Sequence, residues 1–206
     1  MGSAATPPIS VFPGIKIMKS FSKPEIISLA VIFFVLIAVS IPNFIISLRR
    51  ARDQVRRDDM GALEQTLDEY TADLQEFPMA SADGRIIDCL KPGDKPVKGK
   101  KSNLILNAIP CDWGKDAFIN LLTGKVYMSI LPRDPDYKKG AAYLYFSDGS
   151  RYQIYAAMEG SDEPEVDPKI IARNLMCGSM VCNVGRGYGV PTNISIEEYD
   201  KQLLQK

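Results

Sequence analysis

The chain has 206 residues, 46% of them hydrophobic, with 25 Lys and Arg against 25 Asp and Glu and no histidine. That allows one modest core beside one membrane-length helix, and a zero net charge without a basic half or acidic tail points away from nucleic acid as a partner. The commonest general base and metal ligand is missing, and there is no G-x-x-x-x-G-K-[ST], no G-x-S-x-G and no glycine-rich strand-to-helix loop, so neither an enzyme nor a cofactor is expected.

In chain order, the first strong signal is the run from Ile26 to Leu48, 23 consecutive uncharged residues. As a helix it reaches about 35 Å, enough to cross a bilayer. A cleavable secretory signal has an apolar region of roughly 7–15 residues followed by a small-residue cleavage site. Here the run passes directly into RRARDQVRR, so the segment is expected to stay with the protein. Two residues stand out in it: Glu25 at its head and Pro42 near its far end. A carboxylate in hydrocarbon costs about 2.5–3.5 kcal/mol at the centre and less near an end; Glu25 therefore needs a partner or a place among headgroups. Pro42 has no N–H, so the carbonyl of Ala38 loses its helical partner, giving either a tolerated kink or a soft point in the helix.

Beyond Leu48 the pattern turns amphipathic. Met60, Leu63, Leu67, Tyr70, Leu74 and Phe77 recur at spacings of three and four, one apolar stripe on a helix. Asp53 precedes Arg57 by four residues, which reads as an ion pair on the exposed face, and Pro78 supplies the stop. One helix from Pro24 to Phe77 would be about 80 Å long. The stripe lasts about three heptads, so packing on the chain's own sheet is expected rather than a coiled-coil dimer.

Four cysteines follow: Cys89 and Cys111 flank one segment, and Cys177 and Cys182 lie in MCGSMVC. With no histidine and no C-x-x-C they read as two disulfides, Cys177 with Cys182 being the pair most constrained by spacing, while four-cysteine zinc would need two distant pairs to converge. Disulfides imply an oxidising compartment. That opposes a count of basic residues, in which Lys16, Lys19 and Lys23 before the span and Arg49, Arg50, Arg52, Arg56 and Arg57 after it put the C-terminal part in the cytoplasm.

The remainder reads mainly as strands. AFINLLTGKVYMSIL predicts a hairpin turning at Thr123-Gly124, and AAYLYFS with SRYQIYAAM predicts a second one on a two-residue Asp148-Gly149 turn. LPRDPDYKKG between them is a proline-punctuated loop. SDEPEVDP offers Asp162, Glu163, Glu165 and Asp167, hard oxygen ligands suited to calcium but without EF-hand spacing, and is expected to be a solvated acidic loop. Gly185, Gly187 and Gly189 read as a flexible connection. Asn193-Ile-Ser195 matches a glycosylation sequon, and Ser195 with Glu198 forms a capping box for a short terminal helix. The fold class is α+β.

FSKPE, the apolar run, IPNF around Pro42 and the polar continuation RRARDQVRRDDMGALEQTLDEY together resemble a type IV pilin or a pseudopilin of type II secretion, and YLYFSDGSRYQIYAAME resembles the sheet of bacterial pilins. The likeness is strongest over residues 20–77, extends to 110–159 and is absent from the last forty or so residues. It implies a leader over residues 1–20, cleavage between Ser20 and Phe21, a transmembrane half-helix over 21–48, an amphipathic half over 49–77 and a globular region over 78–206 packed as a pilin-like α+β domain. Ser20 stands where the family has glycine, and Lys23 takes a normally apolar place. The partners implied are a prepilin peptidase, the assembly machinery in the inner or cytoplasmic membrane, the membrane itself before assembly, and other copies of the chain in a helical homopolymer. In that picture the amine of Phe21, often methylated, lies beside Glu25 of a neighbour, and Pro42 is the yielding point. The expected location is a single-pass membrane protein with its C-terminal domain outside the cytoplasm, then a surface or periplasmic filament serving adhesion, motility or secretion. The rival is an uncleaved, membrane-anchored binding protein.

Overall fold

The computed structural model describes residues 22–90, 108–121 and 123–205. Internal contacts divide the chain between Ile45 and Ile46. One helix, α1, runs over Lys23–Leu74 with Pro42 inside it. It ends earlier than the stripe predicts: Gln75 turns into the left-handed region at φ 63°, so Phe77 caps the core from outside the helix, 4% exposed. The first half is long and apolar enough to cross a membrane, and none of its most apolar stretch is buried. Phe33, Phe34, Leu36 and Val39 are all at least 60% exposed.

From Ile46 on, the stripe behaves as expected. Met60, Leu63, Leu67 and Tyr70 are buried, and Leu63, Leu67 and Tyr70 share a cluster with Phe118, Leu131, Tyr145, Tyr152 and Ile154. Tyr70 stacks on Phe118 with ring centres 5.1 Å apart, an aromatic contact that adds to simple area burial. The alternation of each strand delivers these rings to one face.

The strands form small antiparallel sheets rather than one. In the first, β1 (Met79–Ala80), β2 (Ile86–Cys89) and β3 (Ile109–Pro110) pair in that order, and Cys89 is bonded to Cys111 beside its edge. A ribbon of β4 (Phe118–Ile119) and β5 (Val126–Met128) carries the first predicted hairpin, with Gly124 at φ 75° in its turn. The second hairpin, β6 (Leu144–Ser147) with β7 (Tyr152–Ala156), pairs Ser147 with Tyr152. Its loop is therefore four residues, Asp148 to Arg151, and not two: the Asp148 carboxylate accepts from the N–H of Ser150 and of Arg151, at 2.9 Å each, and so holds the wider turn.

The largest difference from expectation is at Gly185 and Gly187. They are not a flexible connection but lie within β10 (Val184–Tyr188), which pairs along all of β7 to give the order β10-β7-β6. A Cβ on Gly187 would sit 2.8 Å from the carbonyl of Tyr152, and one on Gly185 2.8 Å from the Tyr155 ring, so only glycine lets this strand approach so closely. Between β7 and β10 come a short helix α2 (Pro168–Ala172), N-capped by Asp167, and the ribbon β8 (Met176–Cys177) with β9 (Met180–Val181). The Cys177–Cys182 bond closes that ribbon inside a cluster with Leu144, Tyr155 and Ile170. The chain ends in α3 (Ile196–Leu204), where the Ser195 hydroxyl accepts from the N–H of Glu198 as the capping box requires.

Candidate functional site

Ser20 and Phe21, the expected processing site, lie outside the described residues. Glu25 is in the first turn of α1 and exposed; its Oε2 accepts from the backbone N–H of Ser22 at 2.8 Å, which satisfies one orphan donor of the helix start. Pro42 leaves α1 continuous, and one residue along, the Asn43 side chain donates to the carbonyl of Val39 at 3.3 Å. That contact is to Val39 and not to Ala38, the residue whose carbonyl the proline leaves without its helical donor.

The arginines that follow are placed differently from the sequence expectation. Asp53 does not pair with Arg57 on an exposed face. It is fully buried, accepts from Nη1 of Arg56 at 2.7 Å, and takes the backbone N–H groups of Glu159 and Gly160 at 2.9 and 3.0 Å. The expected four-residue pair lost to Arg56, three residues on, together with two backbone donors more than a hundred residues away, because a buried carboxylate that collects all three is better satisfied than a solvated pair.

Arg56 is the centre of this arrangement, with no exposed surface. Its guanidinium meets Asp134 through two bonds of 2.8 and 3.0 Å, Asp136 at 3.0 Å and Glu159 at 3.3 Å, besides Asp53. Arg52 binds both oxygens of Glu159 at 2.5 and 2.7 Å, and Lys139 reaches Asp136 at 2.8 Å. The proline-punctuated loop supplies Asp134 and Asp136, held in place because the N–H of Asp136 donates to the Asp134 side chain. Burial alone would lower the Arg56 pKa, yet Asp134, Asp53 and Asp136 outweigh it and hold the group firmly protonated. Lys139 first, with Arg56 adding, holds Asp136 down at about 2 despite its burial. Burial raises the pKa of Asp59 nearby, and the hydrogen bond from the Tyr143 hydroxyl only partly offsets this.

The acidic loop is likewise engaged. Arg49 donates to Asp162 at 2.9 Å, Arg57 to Glu163 at 2.6 Å and to Glu165 at 2.8 Å, while Asp167 accepts from the N–H of Lys169 at the start of α2. The four calcium candidates are thus turned toward arginines and a helix end rather than gathered round a common point, and among the described residues no group of three or more acidic or cysteine side chains is arranged to hold a metal ion. Four of the five arginines after the apolar run are therefore neutralised by carboxylates of the folded domain. The basic cluster and the two acidic segments were each visible in the sequence; that they face one another was not, since nothing local relates positions 56 and 134.

No protein-family model, curated protein or solved structure matches the chain.

Proposed function

We propose that the chain is the structural subunit of a type IV pilus, anchored in the membrane by the first half of α1 and polymerising through it once the leader is removed. The observation that carries this reading is an exposed carboxylate, Glu25, at the head of a helix whose next twenty or so residues are apolar and unburied. An acid at the edge of hydrocarbon carries a cost that a charged partner offsets. In a filament, Glu25 would exchange its bond to the Ser22 N–H for the new α-amine of a neighbour, an attraction strengthened by low dielectric. The apolar surface would serve first as anchor and then as filament core. Two disulfide-bonded pairs support a C-terminal unit outside the cytoplasm, against the count of basic residues. A pilus is favoured over the secretion pseudopilus by the long, cysteine-bearing region after β7.

The N-terminal sequence of protein recovered from cells tests this. Phe21, methylated or not, is the expected first residue; an intact start at Met1 or Met18 would contradict the proposal and leave the membrane-anchored binding protein in its place.

A further inference from the structure

Asn193-Ile-Ser195 is the only Asn-X-Ser/Thr sequence in the chain, and it belongs neither to the anchor nor to the arginine cluster. It lies in the turn between β10 and α3. That turn is pinned by side chains of β7: Nε2 of Gln153 donates to the carbonyls of Pro191 and Ile194 at 2.5 and 2.8 Å, and the Tyr155 hydroxyl donates to that of Thr192 at 2.7 Å. Asn193 is left out of the pinning. It is part-exposed, its side-chain amide has no hydrogen-bond partner among the described residues, and both polar atoms of that amide reach solvent. An asparagine in a turn ordinarily bonds a nearby backbone group; this one does not. Two residues on, Ser195 is extended, with φ −77° and ψ 162°, and its Oγ accepts from the N–H of Glu198 at 3.1 Å, so its own hydrogen is available to donate.

The sheet places this turn on the side away from α1. Alternation along β10 sends Arg186 to Glu64 of α1, at 2.9 Å, and Tyr188 to Phe77, with ring centres 5.3 Å apart. Gly185 faces the other way, where a Cβ would stand 3.1 Å from the side chain of Thr192. In a filament built round α1, a group carried on Asn193 therefore leaves the packing of α1 untouched.

We propose that Asn193 is N-glycosylated by a membrane-bound transferase acting outside the cytoplasm, with an oligosaccharide carried on a lipid pyrophosphate as the donor. This rests on the reading that sets the C-terminal unit outside the cytoplasm. Nδ2 of Asn193 bonds to the anomeric carbon of the sugar, the bond from that carbon to the pyrophosphate oxygen breaks, the lipid pyrophosphate leaves, and the proton lost by Nδ2 passes to solvent. The Ser195 hydroxyl is the second group the transferase reads, which is why the signal needs a hydroxyl two residues after the amide.

The test is mass spectrometry of the full chain recovered from the cells that make it naturally, digested to the peptide Gly187–Lys201. That peptide should be heavier than its sequence by one or more sugar residues, with the added mass on Asn193. Asn193→Gln should lose the whole increment. Ser195→Asp, which keeps a capping acceptor for α3, should lose it too, whereas Ser195→Thr keeps both cap and sequon and should retain it. Filaments of Asn193→Gln should reach wild-type abundance, and their loss would overturn the outward placement. A peptide at its unmodified mass, or an increment that survives Asn193→Gln or Ser195→Asp, would overturn the proposal. The same sample separates this from the pilus reading: an unmodified peptide on chains that start at Phe21 overturns the glycan alone, and a glycosylated peptide on chains that start at Met1 overturns the pilus alone.

Discussion

The two halves of α1 share one backbone and little else. Before Ile46 the helix exposes Ile, Leu, Val and Phe on every side and keeps its carboxylate at the very head. After Ile46 it buries one stripe of apolar residues and, at the turn holding Asp53 and Arg56, buries charges as well. The first half is stabilised by backbone hydrogen bonds and by whatever apolar medium surrounds it; the second by one set of partners in one geometry. A membrane or a bundle of like helices accepts any rotation of a uniformly apolar surface, whereas a buried guanidinium with four carboxylates accepts only one.

The most forceful way to break this contrast is Arg56→Met. Removing the cation leaves the buried carboxylates of Asp53 and Asp134 without a guanidinium, and Asp136 with Lys139 but not Arg56, for a loss of about 3–5 kcal/mol. Urea denaturation of the solubilised chain should show that loss, while membrane insertion, which depends on the first half alone, stays unchanged.

A second effect appears with pH. Burial pushes Asp88 up to about 8, the Tyr70 hydroxyl offsetting this only in part, and its Oδ2 has no partner among the described residues. The folded chain therefore holds a proton that the unfolded chain releases near the ordinary carboxylate value. Its contribution is complete below about pH 4 and is lost as pH rises through about 8, so stability should decline across that window at up to about 1.4 kcal/mol per pH unit. Asp88→Asn should flatten the decline, and urea midpoints at pH 5 and pH 8 measure it. A wild-type midpoint that rises between those two values would contradict the account.

The disulfides come next. The bonded cysteines are 22 and 5 residues apart in sequence, and loop-closure entropy gives about 3 kcal/mol for Cys89–Cys111 against about 2 kcal/mol for Cys177–Cys182. Paired Cys→Ser variants, compared by thermal denaturation, should keep that order. The smallest effect belongs to the rim: Arg57→Ala breaks contacts to Glu163 and to the half-exposed Glu165, and should cost no more than about 1 kcal/mol.

What the sequence shows about α1 follows the same division. The apolar run, Pro42 and the Met60-to-Tyr70 stripe are periodic and local, so they were readable; so were Cys177 with Cys182, the capping box at Ser195 and both hairpins. What was not readable depended on contacts distant in sequence. Asp53 has a plausible neighbour at Arg57 and a better one across the fold. Gly185 and Gly187 look like linker residues until β7 is placed against them, because it is the Tyr155 ring and the Tyr152 carbonyl that forbid a Cβ there. The SDEPEVDP loop is largely exposed, as a solvated acidic loop should be, but that Arg49 and Arg57 meet it depends on the fold. In the candidate assembly region the situation is reversed: Glu25 and its apolar surroundings were legible from the start, since one exposed carboxylate ahead of an uncharged run is a statement about composition and order alone.

The decisive measurement is therefore made on the first half. Cells expressing Glu25→Ala should insert the chain into the membrane at the wild-type level, yet yield no filaments containing it when sheared surface material is probed by immunoblot and electron microscopy. Filaments carrying the variant at normal abundance would contradict the central claim that Glu25 pairs one subunit to the next.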